Sequence, residues 1–155
     1  MKEGLIEQLK TQEKFFLNTA SCLNEGDSDF QPNEEMYTVA QHVGHAAETV
    51  GWFFEGAFGE GFDMNFDNYA EKMKRYTSFD NCVQQFKDEI SAAITKVKEL
   101  KEAELILTIT GEIMTGAPKM AIVGAIVDHT AHHRGSLAVY ARLLGRKPQM
   151  PYGEM

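Results

Sequence analysis

The stretch DHTAHHRGSLAVYARLLG, residues 128–145, decides the fold because its pattern is typical of one long amphipathic helix. His129 and His133 are four residues apart and therefore share one helical face. The apolar residues predicted on that face are Ile122, Ala125, Ile126, Leu137, Tyr140 and Leu144. We therefore expect both imidazoles to point into a helical core, with His132 at the edge of that face.

The ends of this helix carry ordinary start and stop signals. Gly116 and Pro118 precede it, with the proline near the first helical position, where a missing N–H costs nothing. The helix is predicted to continue to Leu144, with Gly145 as its C-cap and Pro148 just beyond.

Three more long helices are predicted upstream. The first covers residues 2–24, where apolar residues recur at helical spacing. The second covers about residues 37–58, with a capping-box spacing at Thr38–Gln41, and the third follows a cap at Thr77 or Ser78. Four helices of about 20 residues with long connections predict an all-α four-helix bundle, and residues 1–155 form a single domain.

Two connections have unusual composition. Residues 59–76 are aromatic, and we expect them to form a long connection with a short helix at 66–74. A connection of this kind is expected to cover a core, a site or a partner subunit. The other, LILTIT at residues 105–110, is β-branched and favours a short extended piece.

Composition excludes several classes of partner. Of the 155 residues, 43% are apolar and 25% charged, and the net charge of −8 argues against nucleic acid and anionic membranes. The longest apolar run, Met120–Val127, is far shorter than the ~20 residues that span a bilayer. Cys22 and Cys82 form no metal-binding or redox pair, and MKEGLIEQLK lacks a secretory apolar run. We therefore expect a cytoplasmic protein.

A second pair of histidines lies upstream, in QHVGHAAE at residues 41–48. His45 is predicted to share a face with Gln41, Glu48 and Trp52. If the second helix packs against the fourth, His45 completes a site with His129 and His133. Three neutral imidazoles leave part of a zinc shell open, as in catalytic sites, although nitrogen ligands also suit nickel, iron or copper.

An alternative is a plain helical bundle or dimerisation module whose histidines are core residues. A single histidine on an apolar face usually has this role. Two at positions i and i+4 need two sets of partners, and a buried polar group without one costs roughly 1–3 kcal/mol. A divalent metal satisfies both lone pairs at once, so the paired spacing favours a metal site.

Three neighbouring charged residues leave several roles open. Glu48, one turn beyond His45, fits a fourth ligand, an acceptor for a ligand's N–H, a general base or a solvated surface carboxylate. Asp128 points away from the ligand face, towards a neighbouring helix or solvent. Arg134 either pairs with an acid across the bundle or dimer, or lies on the surface.

The chain resembles the DinB family, also called the DinB/YfiT-like metalloenzymes. The resemblance rests on two motifs, and because the helix order and total length also agree, it covers essentially the whole chain. TVAQHVGHAAE, residues 38–48, is similar to the family's second helix, and its matching histidine is His45, not His42. DHTAHHRGSLAVYARLLG is similar to the family's H-x-x-H-H-R-G-Q stretch, in which His129 and His133 match the ligands. Ser136 departs from the family by replacing the usual Gln.

The resemblance implies an up-down-down-up four-helix bundle, often a homodimer, with a three-histidine site for zinc or nickel and water in the open positions. Some members transfer low-molecular-weight thiols such as bacillithiol, or isomerise maleylpyruvate with mycothiol. We therefore expect a metal-dependent enzyme of the thiol-S-transferase type that binds a small-molecule substrate, with Glu48 handling protons. The alternatives are a metal-dependent hydrolase using the same site and a non-catalytic metal-binding stress-response protein.

Overall fold

A computed structural model describes residues 1–153 and is all-helical there, with no β-strand in that range. The prediction of an all-α helical bundle is confirmed. Two short 3-10 turns, Glu25–Asp27 and Lys119–Ala121, precede long helices. The α-helices are α1 (Lys2–Ala20), α2 (Val39–Phe58), α3 (Tyr69–Met73), α4 (Phe79–Glu99), α5 (Glu102–Leu105) and α6 (Ile122–Leu143).

Local capping explains where the middle helices begin. Thr38 and Gln41 form the predicted capping box: the Thr38 N–H donates to Gln41 Oε1 at 2.9 Å, and the Gln41 N–H donates to Thr38 Oγ1 at 3.2 Å. Of the two candidate caps for α4, Ser78 is the cap, because its Oγ accepts from the Asn81 N–H at 3.2 Å.

Two predicted boundaries are wrong by a few residues. The first helix ends at Ala20 rather than at residue 24, because Asn24 is extended (φ −148°) and caps the 3-10 turn that follows. The last helix begins at Ile122, after the turn for which Pro118 is the N-cap. Gly145, as predicted, lies just past its end with φ +74°, a conformation that glycine adopts without strain.

The β-branched segment at residues 105–110 is mostly irregular. A short helix ends at Leu105, and an isolated bridge pairs Thr108 with Pro118. Two backbone bonds flank that bridge: the Ile109 N–H donates to the Ala117 carbonyl, and the Lys119 N–H donates to the Leu107 carbonyl. The extended piece therefore exists only as one bridge, too short to form a strand.

Helix α1 packs against α4 and α6, and α2 packs against the same two helices. In the α1–α4 pair, Lys2 Nζ reaches the Lys98 carbonyl at 2.8 Å, and the Phe16 and Phe86 rings stack with centroids 4.2 Å apart. The N-terminal end of α1 therefore lies beside the C-terminal end of α4, and the two helices are antiparallel.

The direction of α2 follows from its contacts with α4 and α6. Gly51 of α2 lies against the Glu89 side chain of α4, and Gly44 lies against Tyr76, just before α4, so these helices are parallel. His45 meets His129 while His42, earlier in α2, meets Tyr140, so α2 and α6 are antiparallel. Helices α1 and α6 thus run in one direction, and α2 and α4 run in the opposite direction.

The core lies where the four long helices meet. Its largest fully buried side chains include Leu9, Phe16, Val43, Phe86, Ile90, Ile126, Leu137 and Tyr140. Burying an apolar side chain of this size stabilises the fold by about 1.5–3 kcal/mol. The core therefore holds α2 and α6 side by side, which positions the two histidine motifs.

Polar contacts fasten the end of α6 to the turn after α1. The Arg146 guanidinium donates to both carboxylate oxygens of Asp27, which is 6% exposed, and to the Cys22 carbonyl at 3.0 Å. Within residues 1–153, none of the helices combines the length and apolar character needed to cross a bilayer.

Candidate metal centre

Three of the five histidines form a compact cluster between α2 and α6. Each of His45, His129 and His133 offers one ring nitrogen, and these three atoms all lie within 4.8 Å of one another. The antiparallel packing of α2 on α6 produces this arrangement from residues about ninety positions apart in sequence. The structure thus brings together the three residues that sequence analysis selected.

The spacing of the cluster fits a metal ion. The Nε2 atoms of His129 and His133 are 3.2 Å apart. Two nitrogen ligands at 2.0–2.1 Å in a tetrahedral zinc site lie about 3.3–3.4 Å apart. The His45 ring is steeply inclined to the other two, by 74° and 81°, with centroids 5.1 and 5.0 Å away. The three rings therefore converge edge-on, as ligands around one ion do.

Burial keeps the cluster neutral. His133 is only 3% exposed, and burial, with smaller contributions from the neighbouring histidines, lowers its pKa to about 2. The same causes lower the pKa of His129 to about 4. Burial also lowers the pKa of His45, although the nearby Glu48 carboxylate partly offsets that effect. Neutral rings keep the lone pairs that a metal requires.

His42 lies behind the cluster and outside it. It is 7% exposed, with its Nδ1 2.9 Å from His133 Nδ1 and its Nε2 3.2 Å from the Tyr140 hydroxyl. That hydroxyl donates to the Tyr37 carbonyl at 2.8 Å. Sequence analysis left the role of His42 open. Its helical position, one turn from Val39, is a sequence signal that could have indicated burial, but the sequence could not identify these partners.

The aromatic connection covers the cluster from the other side. The short helix α3 places the Tyr69 hydroxyl 3.3 and 3.5 Å from the two ring nitrogens of His45. The same hydroxyl makes a short hydrogen bond with the Tyr37 hydroxyl. Burial and that bond raise the pKa of Tyr69, so it stays a neutral phenol. Of the three predicted roles, the connection therefore covers the histidine cluster, and it also covers the core, in which its Met73 and Tyr76 are buried.

Glu48 is held by the same connection. Its carboxylate accepts from the Tyr76 hydroxyl at 2.8 Å and lies 3.8 Å from an Arg75 nitrogen, and its side chain is 35% exposed. Glu48 lies outside the three-histidine cluster. It is therefore an oriented carboxylate one helical turn from His45 rather than a freely solvated one.

A cavity of about 810 Å³ opens beside the cluster, a size typical of small-molecule sites. His45 and His129 form part of its wall. Its aromatic walls come from Trp52, Phe53, Phe66, Tyr69 and Tyr76. Its charged groups are Glu48, Glu55, Asp63, Lys72, Arg75 and Glu89. The cavity thus combines a broad apolar surface with acidic groups that outnumber the basic ones.

The cavity also contains a thiol. Cys82 lines it, but burial raises the pKa of this thiol to about 11, so it stays protonated at neutral pH. A protonated thiol is a poor nucleophile. Cys82 is therefore a poor candidate for the reacting sulfur in this cavity.

The remaining residues of the last motif are not members of the three-histidine cluster. His132 is exposed and its ring centroid lies 5.0 Å from that of His133, which fits its predicted place at the edge of the ligand face. Asp128 is exposed as well, as expected for a residue that points away from that face.

Arg134 is half-buried, and its guanidinium carbon lies 5.6 Å from the Phe15 ring centre and 5.9 Å from that of Tyr152. Within residues 1–153 Arg134 pairs with no acidic side chain and packs between two aromatic rings instead. Its pairing with an acid across a dimer stays a prediction.

Comparison with protein families agrees with the resemblance carried by the two histidine motifs. The model of the DinB family matches residues 4–155, essentially the whole chain. No significant match was found among the curated proteins or among the solved structures.

Proposed function

Because this chain belongs to the DinB family, we propose that His45, His129 and His133 bind one divalent cation, zinc or nickel. We propose further that the protein joins a low-molecular-weight thiol to an electrophilic small molecule. One observation carries this proposal: His45 and His129 belong both to the histidine cluster and to the wall of the 810 Å³ cavity. The accessible side of the cluster therefore faces a space that can hold a substrate.

The donor set supports a metal with an open position. Three neutral nitrogen donors are one fewer than the four ligands of a closed structural zinc site. When bound there, a divalent cation supplies Lewis acidity, which lowers the pKa of a thiol or water beside it. His133 anchors the cluster in the core, whereas half-buried His45 and His129 border the cavity.

The protein side chains supply the remaining functions. The aromatic walls offer an apolar surface for the electrophile and exclude water from it. Glu48 is the candidate proton acceptor, because Tyr76 orients its carboxylate at the cavity wall one turn from His45. Neither Tyr69 nor Tyr76 competes for that role, since burial raises the pKa of both phenols.

The proposed transfer is a substitution at carbon. The thiol sulfur forms a bond to an electrophilic carbon of the second substrate, and the bond from that carbon to its leaving group breaks. The leaving group takes the bonding electron pair, and the thiol proton passes to Glu48. Since Cys82 remains protonated, the reacting sulfur belongs to the small thiol substrate.

Metal analysis followed by a conjugation assay tests the proposal. Protein purified without a histidine tag is analysed for bound elements and then incubated with 1-chloro-2,4-dinitrobenzene and a panel of thiols that includes bacillithiol. We expect about one zinc or nickel ion per chain. We also expect conjugation that a chelator abolishes and that the metal restores.

Other outcomes separate the alternatives. Absence of stoichiometric metal overturns the proposed site. A metal-dependent esterase activity without conjugation indicates hydrolysis at the same site. Unfolding on metal removal, with no reaction in either assay, indicates a structural ion.

A further inference from the structure

We propose that His42 and Tyr140 are positioning residues that select the tautomer of His133, so that its Nε2 lone pair faces His45 and His129. The effect of these two residues on metal binding rests on the proposed function. The donor and acceptor directions of the hydrogen bonds behind His133 depend on the protein alone. The hydrogen-bond directions and the metal binding can therefore be tested separately.

The chain of hydrogen bonds begins at the Tyr37 carbonyl, which can only accept. Tyr37 is the residue just before Thr38, the N-cap of α2. In the first helical turn the His42 backbone N–H donates to the Thr38 carbonyl and not to the Tyr37 carbonyl. The Tyr140 hydroxyl is 2.8 Å from the Tyr37 carbonyl. Since a carbonyl has no proton to give, the single hydroxyl proton of Tyr140 lies in this bond.

The donor and acceptor of each further hydrogen bond follow from this first bond. With its proton committed, the Tyr140 oxygen can only accept at 3.2 Å from His42 Nε2, so that nitrogen carries the N–H. In a neutral ring the other nitrogen, Nδ1, then bears a lone pair. It lies 2.9 Å from His133 Nδ1, which must therefore be the donor. Nδ1 of His133 is protonated, and its Nε2 bears the lone pair.

The resulting lone pair is on the atom the cluster uses. His133 Nε2 lies 3.2 Å from His129 Nε2, while its Nδ1 points back to His42. The other tautomer of His133 would place a proton where a cation has to bind. Selecting the tautomer in advance therefore removes a cost from metal binding.

The partner of His133 is an unusual kind of group. Histidine ligands generally donate their second N–H to a carboxylate, a backbone carbonyl or water. Here the acceptor is the neutral imidazole of His42. The chain of hydrogen bonds continues from His42 to the Tyr140 hydroxyl and ends at the Tyr37 backbone carbonyl. Unlike a carboxylate, this partner orients His133 without adding negative charge to the cluster, which would leave more of the charge of a bound cation to act on a substrate.

Burial makes the arrangement rigid. His42 is 7% exposed and Tyr140 is 1% exposed, so neither can exchange its partner for bulk water at little cost. The Tyr140 ring also packs edge-on against Phe30 and His42, with centroids 5.7 and 5.1 Å away.

Two matched substitutions at His42 distinguish positioning from simple packing. His42→Gln keeps an acceptor for the Nδ1–H of His133 and a donor for Tyr140, whereas His42→Leu fills similar space with neither. Tyr140→Phe removes only the hydroxyl. It leaves the His42 Nε2–H without an acceptor and favours the reverse order, with the proton of His133 on Nε2.

The tautomer of His133 is read from nitrogen-15 NMR of the metal-free protein, and zinc affinity from competition with a chromogenic chelator. We expect the Nδ1–H form of His133 in the unmodified protein and in His42→Gln. We expect a shift towards the Nε2–H form in His42→Leu and Tyr140→Phe, with zinc affinity about 10- to 100-fold lower. Zinc affinity of His42→Gln should stay near that of the unmodified protein.

An unchanged Nδ1–H tautomer and unchanged zinc affinity in both His42→Leu and Tyr140→Phe overturn the inference. Equal loss of affinity in His42→Gln and His42→Leu also overturns it, because packing alone then explains the effect. If His42→Leu does not fold, Tyr140→Phe decides the question. Failure of the unmodified protein to bind zinc or nickel contradicts the proposed function, while the NMR result still tests the hydrogen-bond order.

Discussion

The Nε2 atoms of His129 and His133 lie 3.2 Å apart on one face of α6, close to the spacing of two nitrogen ligands around a tetrahedral ion. His45 reaches the same point from α2. Without a cation, three neutral imidazoles crowd their ring nitrogens together in a largely buried place. A single cation at this point would bind all three ring nitrogens at once, so their convergence favours metal binding.

Replacing one ligand should remove the metal without unfolding the bundle. We expect His129→Ala to lose stoichiometric zinc or nickel, because two imidazoles remain where three are needed. The matched control is His132→Ala, three residues along α6 in the same motif but exposed, which should keep full metal content. Elemental analysis after gel filtration measures both variants. Full metal content in His129→Ala would show that the site assignment is wrong.

The metal-free protein should lose stability in mild acid. Burial lowers the pKa of His42 to about 4 and that of His133 to about 2, against about 6.5 in the unfolded chain. Above pH 6.5 both states are neutral and the effect is absent. Below pH 6.5 the unfolded chain binds more protons, so each such histidine lowers the free energy of unfolding by up to roughly 1.4 kcal/mol per pH unit.

Urea titrations of chelator-treated protein between pH 7.5 and 5 measure this slope. The matched variant is His42→Gln, which removes one of these histidines and should have a shallower slope. Comparing the two proteins cancels contributions from carboxylates that both retain. Identical slopes would contradict the assignment of His42 as a buried neutral ring.

Removing the charge of Glu48 should impair the reaction rather than metal binding. Glu48→Gln keeps the side-chain shape but cannot accept a thiol proton, so we expect the conjugation rate to fall about 10²-fold or more. Metal content should remain unchanged, because Glu48 lies outside the histidine cluster. The control is Glu71→Gln, an exposed residue paired with Lys74 outside the cavity wall. A full conjugation rate in Glu48→Gln would exclude it as the base.

Adding a methyl group at two helical glycines should have opposite effects. At Gly44 a Cβ would lie 2.2 Å from the Tyr76 ring, so Gly44→Ala must displace that ring and with it the hydrogen bond to Glu48. We expect a loss of about 1–3 kcal/mol in the free energy of unfolding. At Gly124 of α6 nothing lies within 4 Å, so Gly124→Ala should stabilise the protein by about 0.5–1 kcal/mol.

Chemical denaturation measures both glycine variants, and the conjugation assay adds a second readout for Gly44→Ala. We expect its activity to fall along with its stability, since Tyr76 orients Glu48. Unchanged stability in Gly44→Ala would mean that α2 and the segment before α4 are not as close as the structure places them.

The sequence by itself determined the features that depend on local spacing. Helical periodicity identified the four long helices. Short-range capping identified Thr38 and narrowed the cap of α4 to Thr77 or Ser78, because such hydrogen bonds join residues three apart. The four-residue separation of His129 and His133 placed them on one face for the same reason.

Only the tertiary structure decided which distant groups meet. His42 and His133 are 91 residues apart, and His42 and Tyr140 are 98 apart, yet their polar atoms are in contact. The packing of Arg134 between Phe15 and Tyr152 and the enclosure of the cavity by residues 59–76 are contacts of the same kind. Periodicity specifies the face on which a side chain lies. The identity of its partner depends on how helices pack, which is set by the burial of the whole core rather than by neighbouring residues.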